Sequence, residues 1–446
     1  MPAGETTVWD RRLRQMQDMG RATGHSGLKE PLALLGLVHV RRRLGLDAGE
    51  SALLATETIE HVADTVGQID SGEHAVRDYL FSAIARVDPA VLSKWLAIAA
   101  RNASDPGFRE WFPARLDDLD LPARHETPAA VAQLMVSLFG DGTDRSVLDP
   151  ACNSGGLLAA AARRLESDRT RLTGRESDGE AYAWARLRFA VQASRNVTLA
   201  RANLVTDKDG QTPAMPERFD MILTNPPFGL PCEISGVPWL AWGSELLPDN
   251  LPARISSEAA YVLAAFRKLS ETGAAAIVVP NGFLTRGGID RRIRQALVTR
   301  GAVSAVIGLP ARLFVPGTAI ETSILLLRGT GGPQDDPGIL FVDARGLGHR
   351  QGAKTVLRDE AVEQVAGIVR ERRSRQGLSR IVPGSTLEEE DYALVPALYV
   401  KRAGAERKTA ADRRARIREL EERHASLVRQ YEALRSQLAG DRTTTP

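Results

Sequence analysis

The chain has 446 residues, of which 43% are hydrophobic and 5% aromatic, a composition typical of a soluble globular protein with two or more domains. Its formal net charge of +2 is too small to indicate a nucleic-acid-binding protein by composition alone. Its two cysteines, Cys152 and Cys232, exclude a disulfide framework and a four-cysteine zinc site. The longest apolar run, at 274–279, is too short to span a bilayer, so we expect a cytoplasmic protein with no membrane partner.

Helical periodicity covers the first part of the chain, for example at 30–44 and 90–102, and predicts an all-helical N-terminal domain over 1–120. From about residue 145, short apolar runs alternate with helical segments. This alternation predicts right-handed βαβ units and a mostly parallel sheet in an α/β domain over 121–345.

The end of this domain and the tail have their own patterns. Strands predicted at 303–309 and 322–328 are joined by a loop too short for a crossover helix, so we expect a C-terminal antiparallel strand. We expect residues 346–400 to form a mixed C-terminal segment and 401–446 to form a charged helical tail. The spacing in the tail predicts a coiled-coil seam for a partner helix, although packing on its own domain is the alternative. The seam consists of Ile417, Leu420, His424, Leu427, Tyr431, Leu434 and Leu438.

A glycine-rich turn follows the first predicted strand of the α/β domain, in SVLDPACNSGGLLAAAARRL. The strand ends at Asp149, and a tight loop with Gly155 and Gly156 leads into a helix. Open α/β sheets bind nucleoside-containing cofactors in this way, but such turns also occur for structural reasons alone. Glu176 ends the next strand, where its carboxylate could accept hydrogen bonds from ribose hydroxyls or could simply be solvated.

A second unusual segment, DMILTNPPFG, contains the fourth predicted strand and the turn at its end. Pro226 and Pro227 end the strand and stiffen the turn, because proline has a fixed φ and no N–H donor. Parallel strands share their carboxyl edge, so this turn should lie beside Asp149 and Glu176. The alternative is a rigid structural turn that packs Phe228 into the core.

Six segments of the chain resemble the amino-group DNA methyltransferases, and most closely the modification subunit of type I restriction systems. In chain order they read HETPAAVAQLM, DPACNSGG, GRE, TNPPFG, IVVPNGFLTRGG and VIGLPARLFVPGTAIETSILLLRG. The later segment EEDYALVPALYV is also similar to that subunit. The resemblance implies a Rossmann-like methyltransferase sheet over roughly 120–345. Its order of motifs is that of the gamma-type enzymes, which methylate adenine N6.

The resemblance also implies S-adenosylmethionine as the cofactor, and it assigns eight residues to it. They are Thr127 and Pro128 at the methionine carboxylate, Asp149, Asn153, Ser154 and Gly155 in the loop below, Glu176 at the ribose, and Asn203 at the adenine amine. Asn153 replaces a family glycine and Asn203 replaces an acidic residue. Asparagine tolerates the left-handed conformation and its oxygen can accept a hydrogen bond, so the site can survive, with weaker cofactor binding expected.

The chemistry of an adenine amine explains why such a site needs these catalytic residues. Its lone pair is delocalised into the ring, so the enzyme must hold the nitrogen in line with the methyl sulfonium. The Asn225 side-chain oxygen and the Pro226 carbonyl can accept its hydrogen bonds and stabilise the developing positive charge, while Pro227 helps to fix the turn. Phe228 offers a face on which an extruded base can stack. We expect neither a metal nor a general base.

These features together predict an adenine-specific DNA methyltransferase that works as the modification subunit of a larger assembly. The chain lacks a recognisable target-recognition domain, so we expect a specificity subunit to bind the C-terminal helix and a second copy of the chain to take part. Double-stranded DNA is the expected substrate. Two alternatives are a protein glutamine methyltransferase, whose amide nitrogen poses the same chemical problem, and a degenerate scaffold subunit without methyl transfer.

Overall fold

The structure of the chain is a computed structural model, which describes most of the residues before Lys401. The described residues are 7–21, 23–24, 27–45, 57–70, 74–100, 105, 107–117, 126–140, 144–165, 167, 169–194, 196–203, 205, 218–234, 252–314, 318–331 and 338–400. The chain up to Val400 forms one compact unit, and the predicted boundaries at 120 and 345 fall inside it and stay predictions. The predicted coiled-coil seam at 417–438 lies outside the described residues.

The described strands are numbered in chain order. They are β1 (Ser146–Asp149), β2 (Arg171–Glu176), β3 (Val197–Arg201), β4 (Phe219–Thr224), β5 (Pro231–Glu233), β6 (Arg254–Ser256), β7 (Leu269–Pro280), β8 (Val303–Gly308), β9 (Thr322–Arg328), β10 (Ile339–Asp343), β11 (His349–Gln351), β12 (Lys354–Val356) and β13 (Ser379–Val382). Nine of them form one sheet in the order β13-β10-β8-β9-β7-β4-β1-β2-β3. The pairs β5–β6 and β11–β12 form two small separate sheets.

The described α-helices are numbered in the same way. They are α1 (Val8–Arg21), α2 (Lys29–Arg43), α3 (Glu57–Asp70), α4 (Ser82–Ile84), α5 (Pro89–Ala100), α6 (Phe108–Asp117), α7 (Ala129–Ser137), α8 (Gly156–Leu165), α9 (Gly179–Gln192), α10 (Ser257–Lys268), α11 (Gly288–Thr299), α12 (Asp359–Arg370) and α13 (Gly384–Glu389). A π-helical segment, Val76–Phe81, leads directly into α4. Within the described part of the chain, no helix has the length and apolarity needed to cross a membrane.

The direction of the strands confirms the predicted mostly parallel sheet. Strands β3, β2, β1, β4 and β7 are parallel neighbours, and β8 and β10 run the same way. Strand β9 runs antiparallel between β7 and β8, as the short loop before it predicted. The sequence did not predict that β13 would extend the sheet, antiparallel to β10.

The central strands are buried on both faces, which explains why they read as continuous apolar runs. Apolar residues of α7, α8 and α12 cover one face of the sheet, and those of α10 and α11 cover the other. Helices α1 to α6 share a third apolar cluster with α9, through residues that include Trp184 and Leu187. The helical N-terminal part therefore packs on the helix that follows β2.

Asp220 joins three strands at the amino edge of the sheet. One carboxylate oxygen accepts hydrogen bonds from the N–H and the hydroxyl of Ser146 in β1, at 2.9 and 2.7 Å. The other accepts a hydrogen bond from the Ser270 hydroxyl in β7, at 3.3 Å. Partial burial favours the neutral form of Asp220, but these hydrogen bonds outweigh it and lower its pKa.

We expect Asp220→Asn to lower the free energy of unfolding at pH 7 by about 1–2 kcal/mol, because hydrogen bonds to a charged acceptor are lost. A lowered pKa in the folded state stabilises the protein above the unfolded pKa, and this contribution disappears as the pH falls through the folded value. The difference between the wild type and the variant should therefore shrink below about pH 3.9. Denaturant unfolding across this pH range measures it, and a difference that does not change with pH would contradict the assignment.

Candidate active site

The carboxyl ends of β1, β2 and β4 lie side by side and carry the acidic and amide residues that the sequence singled out. Asp149 ends β1, Glu176 ends β2, and Asn225 follows β4. A cavity of about 370 Å³ opens at this edge. Its lining includes Asn153, Glu176, Asn203, Asn225, Pro226, Pro227 and Tyr261.

The loop between β1 and α8 is held in a conformation that most residues avoid. Asn153 has φ +52° and Gly155 has φ +85°, both in the left-handed region. The replacement of the family glycine by Asn153 is therefore compatible with the loop, because asparagine adopts this region more readily than most residues. The N–H of Cys152 donates to the Arg175 carbonyl at 2.8 Å, which ties the loop to β2.

The Glu176 side chain binds the backbone of the same loop. Its Oε2 accepts a hydrogen bond from the Asn153 N–H at 2.9 Å, and its Oε1 accepts one from the Asp178 N–H at 2.8 Å. Each carboxylate oxygen thus has a backbone donor, which holds the side chain in one orientation at the wall of the cavity.

Asp149 and Cys152 are buried beside Glu176. Burial raises the pKa of Asp149 well above its usual range, and the nearby carboxylates of Glu176 and Glu126 raise it further. Its Oδ1 accepts a hydrogen bond from the Ala151 N–H at 3.2 Å, so it braces the start of the loop. Burial also raises the pKa of the Cys152 thiol, so this residue packs as a neutral thiol rather than acting as a nucleophile.

Arg188 in α9 is a site residue that the sequence did not identify. Its side chain is fully buried, and its Nε donates to the Ser154 carbonyl at 2.7 Å. Its Nη2 donates to the Ser154 hydroxyl at 3.1 Å and to Asp117 Oδ1 at 2.6 Å. Arg188 therefore connects the loop to the last helix of the N-terminal part.

Asn203 faces the cavity from the segment after β3, as expected for a residue near a cofactor base. Its Oδ1 accepts a hydrogen bond from the Val205 N–H at 3.0 Å and one from the Tyr261 hydroxyl at 3.5 Å. Tyr261, in α10, lines the same cavity and has no counterpart in the residues predicted from the sequence. The Val205 N–H thus occupies one acceptor position of the Asn203 side-chain oxygen.

The Asn-Pro-Pro-Phe turn enters the cavity from β4. Asn225 and Pro226 are buried, and Pro227 and Phe228 are half-buried. Asn225, Pro226 and Pro227 line the cavity, whereas Phe228 is not among its lining residues and contacts the apolar cluster of α7, α8 and α12. Asn225, Pro226 and Pro227 therefore share one cavity with three of the predicted cofactor residues, which are Asn153, Glu176 and Asn203.

Thr127 and Pro128 stand directly before α7. The Pro128 carbonyl accepts hydrogen bonds from the first turn of α7, and neither residue lines the cavity. Glu126 connects this segment to the loop, because its Oε1 accepts a hydrogen bond from the Ser154 N–H at 3.4 Å. Asp149, Ser154 and Gly155 likewise support the loop from outside the cavity lining.

Comparison with known proteins supports the motifs described above. The family model for N-6 DNA methylases matches residues 124–408. The methylase subunit of the type I restriction enzyme MpnII from Mycoplasma pneumoniae is 26% identical over 296 residues, covering 61% of this chain and 52% of that protein. The MjaVII methylase subunit from Methanocaldococcus jannaschii is 26% identical over 328 residues, covering 66% and 52%. The chain thus spans about half the length of these relatives.

Solved structures share the fold. The crystal structure of a type I restriction-modification methyltransferase subunit from Streptococcus thermophilus superimposes with a TM-score of 0.70 at 18% identity, covering 88% of this chain and 98% of that one. A modification subunit of a putative type I restriction enzyme from Vibrio vulnificus gives a TM-score of 0.58 at 18% identity, covering 87% and 94%. At this identity, the similarity establishes the arrangement of helices and strands.

The two adjacent glycines of the loop provide a matched pair of substitutions. A Cβ at Gly155 would meet the Phe189 ring at 2.8 Å and would need a positive φ, whereas a Cβ at Gly156 has no neighbour closer than 3.7 Å. We expect Gly155→Ala to lower the free energy of unfolding by about 2–4 kcal/mol through backbone strain and overpacking. Gly156→Ala should change it by less than about 1 kcal/mol. Thermal unfolding of both variants measures this, and equal losses would contradict the loop geometry.

Proposed function

The chain belongs to the N-6 DNA methylase family, and we propose that it transfers the methyl group of S-adenosylmethionine to the N6 amine of adenine in DNA. One observation carries this proposal. The Asn225-Pro-Pro turn and the Glu176 carboxylate line one cavity, so an amine acceptor and a nucleoside cofactor could meet there. The family match also favours DNA over a protein glutamine as the acceptor.

The residues around the cavity fit S-adenosylmethionine. The volume of about 370 Å³ lies within the range of small-molecule sites. Asn153 Oδ1 is buried without a hydrogen-bond partner among the described residues, and it is a suitable acceptor for a ligand donor. A carboxylate can accept about four hydrogen bonds, so Glu176 can serve its two backbone donors and two ribose hydroxyls. Glu176, the carboxylate that lines the cavity, suits a cationic cofactor.

The reaction needs little beyond orientation and hydrogen-bond acceptors. S-adenosylmethionine supplies an electrophilic methyl group when it is bound. The Asn225 side-chain oxygen and the Pro226 carbonyl would accept hydrogen bonds from the adenine amine and stabilise the positive charge that develops on its nitrogen. Both residues are already buried in a turn that two prolines stiffen, so little reorganisation is needed.

Phe228 would stack on the target base after the base has left the duplex. A base inside the duplex cannot reach a buried amide, so such enzymes extrude their target. Phe228 is half-buried and packs against the apolar cluster. Loss of stacking should weaken methyl transfer more than cofactor binding.

We further propose that the chain acts in the cytoplasm as the modification subunit of a type I assembly, with sequence choice supplied by a specificity subunit. The relatives are named as methylase subunits of type I restriction enzymes, which supports an assembly rather than a single-chain enzyme. The heptad pattern at 417–438 is our candidate contact for that subunit, and a second copy of the chain is a further candidate partner.

Substitutions should separate cofactor binding from catalysis. We expect Asn225→Ala to bind S-adenosylmethionine about as tightly as the wild type but to transfer methyl groups to DNA at least about 100-fold more slowly, because it lacks an acceptor for the amine. Glu176→Ala should weaken cofactor binding at least about tenfold. Isothermal titration and incorporation of labelled methyl groups measure the two effects.

Glu180→Ala is the matched control for Glu176→Ala. Glu180 lies four residues further on and pairs with Lys29 at 2.6 Å, outside the lining of the cavity. This control should bind the cofactor like the wild type. Unchanged cofactor binding in Glu176→Ala, or unchanged methyl transfer in Asn225→Ala, would contradict the assigned roles.

A further inference from the structure

The turn after the Asn-Pro-Pro-Phe segment is held by the first residue of α10. The Ser257 hydroxyl donates to the Pro227 carbonyl at 2.7 Å and accepts a hydrogen bond from the Leu230 N–H at 3.2 Å. The Ser257 N–H donates to the Leu230 carbonyl at 2.8 Å. These three bonds clamp both ends of the turn onto the start of a helix that is far away in sequence.

The next residue, Glu258, holds the middle of the turn with a buried carboxylate. Glu258 is 0% exposed, and its Oε2 accepts a hydrogen bond from the Gly229 N–H at 2.8 Å. Gly229 has φ +70°, a conformation that favours glycine, and this φ orients its N–H. The N-terminal position of Glu258 in α10 also places its charge at the favourable end of the helix dipole.

The block IVVPNGFLTRGG supplies the counter-charge for this carboxylate. Nη2 of Arg286 donates to Glu258 Oε1 at 2.5 Å, and Nε donates to Asp290 Oδ2 at 2.8 Å. A buried carboxylate is tolerated only when it is paired and hydrogen-bonded. Arg286 occupies Oε1 of Glu258, and the Gly229 N–H and the Ser257 hydroxyl donate to Oε2. The two sequence blocks that frame the reaction, TNPPFG and VPNGFLTRGG, are thus joined through one side chain.

We propose that Glu258 is a positioning residue for methyl transfer, which fixes the turn from Asn225 to Leu230 so that its acceptors face the amine. This inference rests on the proposed function. A displacement of about 1 Å in a catalytic group can cost about 100-fold in rate. Glu258 does not itself line the cavity and reaches the lining through the Ser257 hydroxyl at 3.4 Å, so its effect should fall on the rate of transfer more than on cofactor affinity.

The chemistry of the pair predicts which replacement fails. In Glu258→Gln the side chain keeps its shape and can still accept the Gly229 N–H, but its amide NH₂ then faces the Arg286 donor. Two opposed donors leave the turn without its fixed support.

The test uses the assembly isolated from native cells through a tag on the full chain. DNA from cells that carry Asn225→Ala serves as the unmodified substrate. We expect Glu258→Gln to lower kcat about tenfold or more while the Kd for S-adenosylmethionine changes less than about twofold.

Asp290→Asn is the matched control, because Asp290 is the other carboxylate on Arg286 and does not line the cavity. It should keep kcat within about threefold of the wild type. The inference is overturned if Glu258→Gln leaves kcat unchanged. It is also overturned if Asp290→Asn lowers kcat and thermal stability as much as Glu258→Gln does. Absence of methyl transfer in the wild-type assembly would instead contradict the proposed function.

Discussion

The site depends on one constraint, which is that neighbouring parallel strands end at the same edge of a sheet. Strands β1, β2 and β4 are parallel neighbours, so Asp149, Glu176 and Asn225 come together although 76 residues separate the first from the last. The helices that cover both faces make this edge the place where polar groups can collect. The topology of the sheet determines where the cavity lies, and the loops supply the polar side chains that line it.

Supports from distant parts of the chain hold the two loops that face the cavity. Arg188 holds the loop after β1 and reaches Asp117 in the helical part, while Ser257 and Glu258 hold the turn after β4. Arg294, also buried, donates to the carbonyls of Phe283, Arg286 and Tyr392. Two buried arginines therefore link distant parts of the chain to these segments. Arg188 binds a carboxylate that precedes the sheet, and Arg294 binds a backbone carbonyl that follows its last strand.

The sequence revealed those parts of the site that have a local signature. The strand ends, the left-handed loop and the double proline follow from backbone chemistry, and the antiparallel β9 follows from the length of its loop. Arg188 lies in an apolar helix that gives no sign of a polar partner, and Glu258 binds an N–H 29 residues away. Such long-range pairs, like the addition of β13 to the sheet, depend on tertiary packing that no local pattern encodes. Phe228 is a further example. The sequence predicted a stacking residue, and the fold places it against an apolar cluster outside the cavity lining.

The central claim is that adenine N6 in DNA accepts the methyl group, and the chemical identity of the product tests it most directly. Genomic DNA from cells with the chain and from cells without it would be digested to nucleosides and analysed by mass spectrometry, together with peptides from a protease digest of total protein. The account predicts N6-methyldeoxyadenosine that is lost with the chain. The appearance of the chain-dependent methyl group on another base, or on glutamine, would contradict it.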